Sequence, residues 1–265
     1  MHPVNPASLL APAKDRVIWI TGGAGYLGSP IVAALDALGV KTVCLDLPGK
    51  AEAMVTERGL RHTIPVSADL TDLAGLTALV ARLVADHGIP DGLAHLTFAS
   101  SSGKSMEQIS TDDFNRTLTL SLTPAFALCR EVAARMASRG SGSIVLFSSM
   151  YGLVSPDPRI YFAPMAPNPI DYGTSKAGII QMVKYLAVHY GPQGVRFNAI
   201  APGPFPNPKI QRDLPQFIDK LKARTALNRI GHNHEVVGPT LFLLGDGASF
   251  VTGHCLTVDG GWTTW

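Results

Sequence analysis

Three cysteines in 265 residues, at positions 44, 129 and 255, are too few and too scattered for a disulfide framework or a paired zinc-ligand spacing. Such thiols read as buried groups of a reducing cytoplasm, where this chain is expected to reside. Charge is also scarce. Only 16% of residues are charged and the net charge is +2, which gives no reason to expect nucleic acid or an anionic membrane as partner. No apolar run approaches the roughly 20 residues a transmembrane helix needs. Residues 1–12 carry three prolines and lack a basic stretch ahead of an apolar core. They are read as part of a flexible tail, residues 1–13, and not as a secretory signal. None of the eight histidines has the His-x-x-x-His spacing of a helical zinc site, so no metal is expected. Repeats at solenoid periods are missing as well.

What remains is a chain with 46% apolar residues, enough for one large domain with an extensive core. Apolar strands at 17–20, 42–45, 62–66, 92–96, 143–147, 195–200 and 255–258 alternate with helical patterns at 26–38, 73–87, 111–137, 170–190 and 234–244. Alternation of this kind predicts an α/β fold: a doubly wound parallel sheet of about seven strands, helices on both faces, in a single domain over residues 14–265. The proline-rich stretches 153–169 and 203–225 read as insertions at the sheet's rim that shape a substrate site.

Two constellations point to chemistry. The run Thr21-Gly22-Gly23-Ala24-Gly25-Tyr26-Leu27-Gly28 follows the first strand and opens the first helix, the context a dinucleotide fingerprint requires. Gly22 and Gly25 would let the backbone turn and approach a pyrophosphate resting on the helix N-terminus, and Gly28 would let helix and strand pack closely. Asp46 ends the second strand, 18 residues after Gly28, where a carboxylate accepts from ribose hydroxyls and repels a 2′-phosphate. The glycine turn has no basic residue to bind such a phosphate, and Lys50 beyond it reads as solvated, so NAD is expected over NADP. The second constellation is Tyr172 and Lys176, four apart on one helical face. A cation beside a phenol favours the phenolate and makes it a usable acid/base.

Together with Ser148-Ser149 at the end of a strand, Asn198 and Pro202-Gly203, these features resemble the short-chain dehydrogenase/reductase superfamily from about residue 14 to the C-terminus. The resemblance implies a Rossmann-type domain in which Tyr172 is general acid/base and Lys176 lowers its pKa and holds the nicotinamide ribose. Ser149, second of its pair, would bond the reacting oxygen, with Ser148 as the alternative. Tyr26 and Leu27 in the glycine turn, Thr97 after the fourth strand, and Pro202, Gly203 and Phe205 after the sixth would contact the cofactor. Asp69-Leu70 resembles the adenine-contacting pair, although Asp69 reads equally as a helix N-cap. Asn198 is expected to tie strands together at the floor of the site. The ending Asp259-Gly260-Gly261-Trp262 resembles a segment at subunit interfaces, which implies a homo-oligomer, tetramer or dimer.

Several departures stand out. Tyr26 occupies a place where most single-domain members have glycine, and the glycine spacing is similar to the branch that acts on nucleotide sugars. His95-Leu96-Thr97-Phe98 replaces an Asn-Asn-Ala-Gly stretch, which suggests that its side-chain ties are lost. Ser121 stands for the asparagine of the proton relay. Tyr172 follows Ser149 by 23 residues, about ten more than usual. The added segment 155–169 is expected to form a wall or lid over the substrate, with Tyr161 as a rival proton donor. Lys209 or Arg212 is a candidate for meeting an acidic substrate. A similar insertion in flagellin-modification oxidoreductases and sugar dehydrogenases points to a small-molecule substrate: a sugar, sugar acid or polyol. The expected activity is NAD-dependent interconversion of a secondary alcohol and a ketone. The alternatives are an NAD-binding sensor or scaffold with little catalysis, and a nucleotide-sugar-modifying enzyme.

Overall fold

The computed structural model describes residues 9–265. Seven strands form one sheet: β1 (Val17–Thr21), β2 (Lys41–Asp46), β3 (Thr63–Ser67), β4 (Gly92–His95), β5 (Gly142–Phe147), β6 (Val195–Pro202) and β7 (Cys255–Val258). All pairings are parallel, in the order β3-β2-β1-β4-β5-β6-β7. Helices α1 (Gly28–Ala37), α2 (Lys50–Arg58), α3 (Leu73–His87), α4 (Thr111–Arg139), α5 (Ile170–Tyr190), α6 (Pro208–Asp213), α7 (Pro215–Ala223) and α8 (Val237–Leu244) complete the fold.

Strand residues divide by parity, as the two-residue period of a strand demands. Trp19, Val43, Leu45, Leu93, Ile144 and Leu146 enter one core layer, beneath α3, α4 and α5. Ile18, Ile20, Cys44, Ala94, Val145 and Phe147 enter the other, beneath α1, α2 and α8. The strands are therefore buried on both faces and read as near-continuous apolar runs. Helix α4 starts on Ser110, which forms a reciprocal cap with Asp113, and stops at Gly140, whose φ of 80° favours glycine. A third cluster lies at the rim, where Met150, Tyr151, Ile160, Ile218, Leu221 and Trp262 pack together.

Some expectations need correction. Residues 1–8 of the expected tail lie outside the described residues; of the remainder, Pro12 is buried and Ala11 packs on a core layer. Helix α2 was not expected, and the stretch 203–225 contains two helices, α6 and α7. The last helix is split into a 3-10 turn, Asn233–Val236, followed by α8. Among the described residues no helix is long and apolar enough to cross a membrane.

Candidate active site

Strand order reverses at β1, which has β2 on one side and β4 on the other. Beyond the carboxyl ends of strands at such a point, the two halves of an open sheet diverge and leave a crevice. Two cavities occupy it, of about 350 and about 340 Å³. Gly22, Gly25, Leu96 and Phe98 belong to both.

The glycine turn is built to a tight tolerance. A Cβ on Gly28 would sit 2.3 Å from the Gly22 carbonyl oxygen, and one on Gly22 would press Leu96 and Thr97 at 3.3 Å. Helix α1 starts at Leu27 without a side-chain cap, and its first turn has no acidic residue. The Ser29 N–H donates to the Gly25 carbonyl and Pro30 has none, which leaves the Gly28 N–H and the helix dipole for an external anion, so the residues fit a pyrophosphate. The second cavity extends from this turn past Asp46, Asp69, Leu70 and Thr97. Asp46 accepts from the N–H groups of Ala24 (2.9 Å) and Leu47 (2.8 Å), which aims the carboxylate across the turn. Lys50, exposed at the start of α2, lines the same cavity. Asp69 caps no helix; it accepts from Thr71, and Asp72 caps α3 through Gly75. The resulting turn presents Leu70 to the cavity.

Ser149, Tyr172 and Lys176 meet in the first cavity, together with Tyr26, Leu27, Pro202, Gly203 and Phe205. The Ser148 hydroxyl donates to the Lys176 carbonyl at 2.7 Å and fastens α5 to the end of β5. The Ser149 oxygen accepts from the Tyr151 N–H at 3.1 Å and has its proton left to donate. Lys176 is 3% exposed and donates to the Phe147 carbonyl at 2.9 Å. Burial pushes its ammonium down to about 7. Tyr172 is raised above the usual phenol value by burial, and the Ser149 hydroxyl opposes that rise. The ammonium lies 5.6 Å from the centre of the Tyr172 ring, and burial is the larger influence.

Ser121 lines neither cavity. Its hydroxyl is bonded to the Ala99 backbone, accepting from the N–H (2.9 Å) and donating to the carbonyl (3.2 Å), so it fixes the loop after β4 and is not placed as a relay group. Buried Asp171 holds the same loop, accepting from the Ser101 N–H at 3.2 Å, from Thr117 at 2.6 Å and from the Tyr172 N–H at 2.7 Å. Nor are side-chain ties lost after β4. Buried His95 bonds Thr21 (2.8 Å) and Thr97 (3.1 Å), joining the ends of β1 and β4. Burial, with Lys176 adding its charge, pushes this imidazole down to about 3, so it stays neutral. Asn198 donates to the Val251 carbonyl and accepts from the His254 N–H, joining β6 to the approach to β7.

Residues 153–169 line neither of these two cavities: Ile160 and Tyr161 pack on Phe217, Ile218 and Leu221, and much of the segment lines a separate cavity of about 520 Å³ together with Gly173 and Thr174, next to Tyr172 in sequence. Tyr161 bonds the Tyr151 hydroxyl at 3.0 Å and is no rival donor to the first cavity. Lys209 pairs with Asp213, and neither it nor Arg212 reaches either cavity. Phe98 was missed as a site residue. Its ring, 57% exposed, lies 5.1 Å from the Lys176 nitrogen and edge-on to Tyr172 at 5.6 Å. The available signal was a large aromatic where the family resemblance has glycine.

A family model described as Enoyl-(Acyl carrier protein) reductase matches residues 24–263. The chain belongs to the short-chain dehydrogenase/reductase family. Among relatives of this oxidoreductase, a probable galactose dehydrogenase of Rhizobium meliloti (strain 1021) is 30% identical, covering 97% of this chain and 98% of its own. A cis-4-hydroxycyclohexanecarboxylate dehydrogenase of Sinomonas cyclohexanicum is 31% identical, covering 94% and 97%. A solved short-chain dehydrogenase of Leptospira borgpetersenii with bound NAD+ superposes with a TM-score of 0.83 at 29% identity, covering 99% of this chain and 98% of its own. The short-chain dehydrogenase/reductase fold thus spans nearly the whole chain, and a nicotinamide cofactor belongs to it.

Proposed function

We propose that this oxidoreductase interconverts a secondary alcohol and its ketone, with NAD as the partner. The observation that carries the reading is the convergence of Ser149, Tyr172 and Lys176 on the one cavity that adjoins both the glycine turn and the Asp46 cavity. Gly22, Gly25, Tyr26 and Leu27 would hold the pyrophosphate, Asp46 the adenosine ribose, Asp69, Leu70 and Thr97 the adenine side, and Pro202, Gly203 and Phe205 the nicotinamide end. When bound, the oxidised nicotinamide supplies the acceptor for the hydride, so the carbinol C–H bond departs with both its electrons.

The chain's own groups manage the proton and the charge. Ser149 donates to the reacting oxygen and stabilises negative charge there. Tyr172 accepts the hydroxyl proton during oxidation and returns it during ketone reduction. Burial keeps Tyr172 protonated, the form that serves reduction. Lys176, pinned by Phe147 at its nitrogen, presents the cation that a phenolate needs beside it. Asp46 and Asp69 together outweigh the single cation Lys50 in the adenosine cavity, which supports NAD over a cofactor with an added phosphate.

Two substrate classes are worth separating. Sugars and polyols are suggested by the sequence motifs and by the name of the galactose relative. Compact apolar alcohols are favoured by the lining of the cavity itself. The test is NADH absorbance with purified protein, NAD and both alcohol classes, run beside Tyr172→Phe. We expect the variant to lose roughly a hundredfold or more in turnover. Full turnover in the variant refutes the proposal, and NAD binding without turnover of any alcohol favours a non-catalytic binder.

A further inference from the structure

The lining of the catalytic cavity bears on what the substrate can be. Its walls away from the glycine turn and the nicotinamide end are Phe98, Pro206 and Ile210. Its hydrogen-bonding side chains are nearly all engaged elsewhere. Ser148 is bonded to the Lys176 carbonyl, and Lys176 to the Phe147 carbonyl. Asn207 uses its side-chain oxygen to cap α6, accepting from the Ile210 N–H at 3.0 Å. Tyr26 belongs to the cofactor turn. What is left for a substrate is Ser149 and Tyr172, both directed at the single reacting oxygen, and the Asn207 amide nitrogen.

Charge is equally sparse. Lys176 is the one charged residue among those lining this cavity. Several cations on the flanking segments are committed to other partners, Lys209 to Asp213, Lys220 to the Arg159 carbonyl, Lys222 to Asp219 and Arg229 to Glu235, and Arg212 on α6 does not line the cavity. A substrate carboxylate or phosphate would find no counter-ion besides the lysine at the reacting centre. The volume, about 350 Å³, is near the lower end of the roughly 300–1,000 Å³ usual for small-molecule sites, and it is shared with the redox end of the cofactor.

Resting on the dehydrogenase reading above, we infer that the substrate is a compact, uncharged secondary alcohol with an apolar carbon frame, such as an alicyclic alcohol. It carries at most one hydroxyl beyond the reacting one, which Asn207 would serve. A polyol would bury hydroxyls against phenyl, proline and isoleucine surfaces, and each one left unpaired is disfavoured by about tenfold in binding. The reaction balances as written: the carbinol carbon gives up a hydride to NAD+, the hydroxyl proton passes to Tyr172 and on to solvent, and ketone and NADH result.

The experiment keeps one six-carbon ring and changes its decoration. Wild-type protein with NAD is assayed on cyclohexanol, cis-1,2-cyclohexanediol, myo-inositol and cis-4-hydroxycyclohexanecarboxylate, with NAD affinity measured by calorimetry. We expect cyclohexanol and the diol to lead, myo-inositol to fall at least a hundredfold below them in kcat/KM, and the carboxylate to lie below cyclohexanol. An order led by myo-inositol or by the carboxylate overturns this substrate class while leaving the dehydrogenase reading intact. No NADH from any member, with NAD bound, overturns this inference, and the dehydrogenase reading falls with it when the sugars and polyols are silent too.

Discussion

Replacing Lys176 by methionine should make the ligand-free protein more stable while removing its activity. The lysine is buried, and among the described residues no carboxylate is paired with it; a carbonyl and two aromatic rings are its partners. An ordinary lysine titrates at 10.5 and this one at about 7, which at 1.36 kcal/mol per tenfold amounts to roughly 5 kcal/mol of desolvation carried by the charged form. The ring contacts return about 1 kcal/mol, and methionine would leave the Phe147 carbonyl without this donor at about 1 kcal/mol more. That leaves Lys176→Met roughly 3 kcal/mol more stable at and below pH 7. The pH dependence carries the signature. Between about 7 and 10.5 the unfolded chain keeps the lysine proton that the folded protein has released, so wild-type stability rises with pH in that window. The advantage of the variant should therefore shrink by about 1.4 kcal/mol per pH unit above 7 and cross zero near pH 9. Urea unfolding of both proteins from pH 6 to 10 measures this directly. A variant less stable than wild type at pH 7, or a difference that does not change with pH, refutes the reasoning.

Two other substitutions probe the cofactor crevice. A dinucleotide spanning both cavities has to pass Phe98, whose contacts with Lys176 and Tyr172 are together worth about 1–2.5 kcal/mol. Phe98→Ala should thus tighten NAD binding about tenfold by calorimetry, and weaker binding would mean that the ring is a platform for the cofactor. Asp46→Asn keeps a side-chain oxygen for the glycine turn but removes its charge, and should reduce the preference for NAD over NADP about tenfold. An unchanged ratio would show that another group sets cofactor choice.

The strands and long helices were legible because burial on both sheet faces leaves continuous apolar runs, and helices such as α3 and α5 bury a stripe. Helix α2 was missed because it buries only Ala51 and Met54, too little apolar signal to register. In α6 and α7 proline stands at the first helical turn, where its missing N–H does no harm, yet in sequence it reads as a breaker. The candidate cofactor residues stand out by spacing at strand ends, and each of them lines one or both of the two cavities. What was not legible depends on tertiary packing. The segment 155–169 meets α7 because Phe217, Ile218 and Leu221 are there to receive it. Ser121 is taken up by the Ala99 backbone, a partner 22 residues away that no local pattern discloses.

Among the described residues every strand pairing is parallel, so none of them can be closed by a hairpin turn, and each waits for a crossover to double back. Its assembly is accordingly dominated by distant partners, which slows folding. The glycine turn is moulded against Leu96 and Thr97, so a chain that had joined only β1, β2 and β3 would hold the phosphate-binding sequence without its shape. Cofactor affinity thereby reports on whether the two halves of the molecule have docked. Added during refolding, NAD should capture the finished protein and leave earlier species untouched.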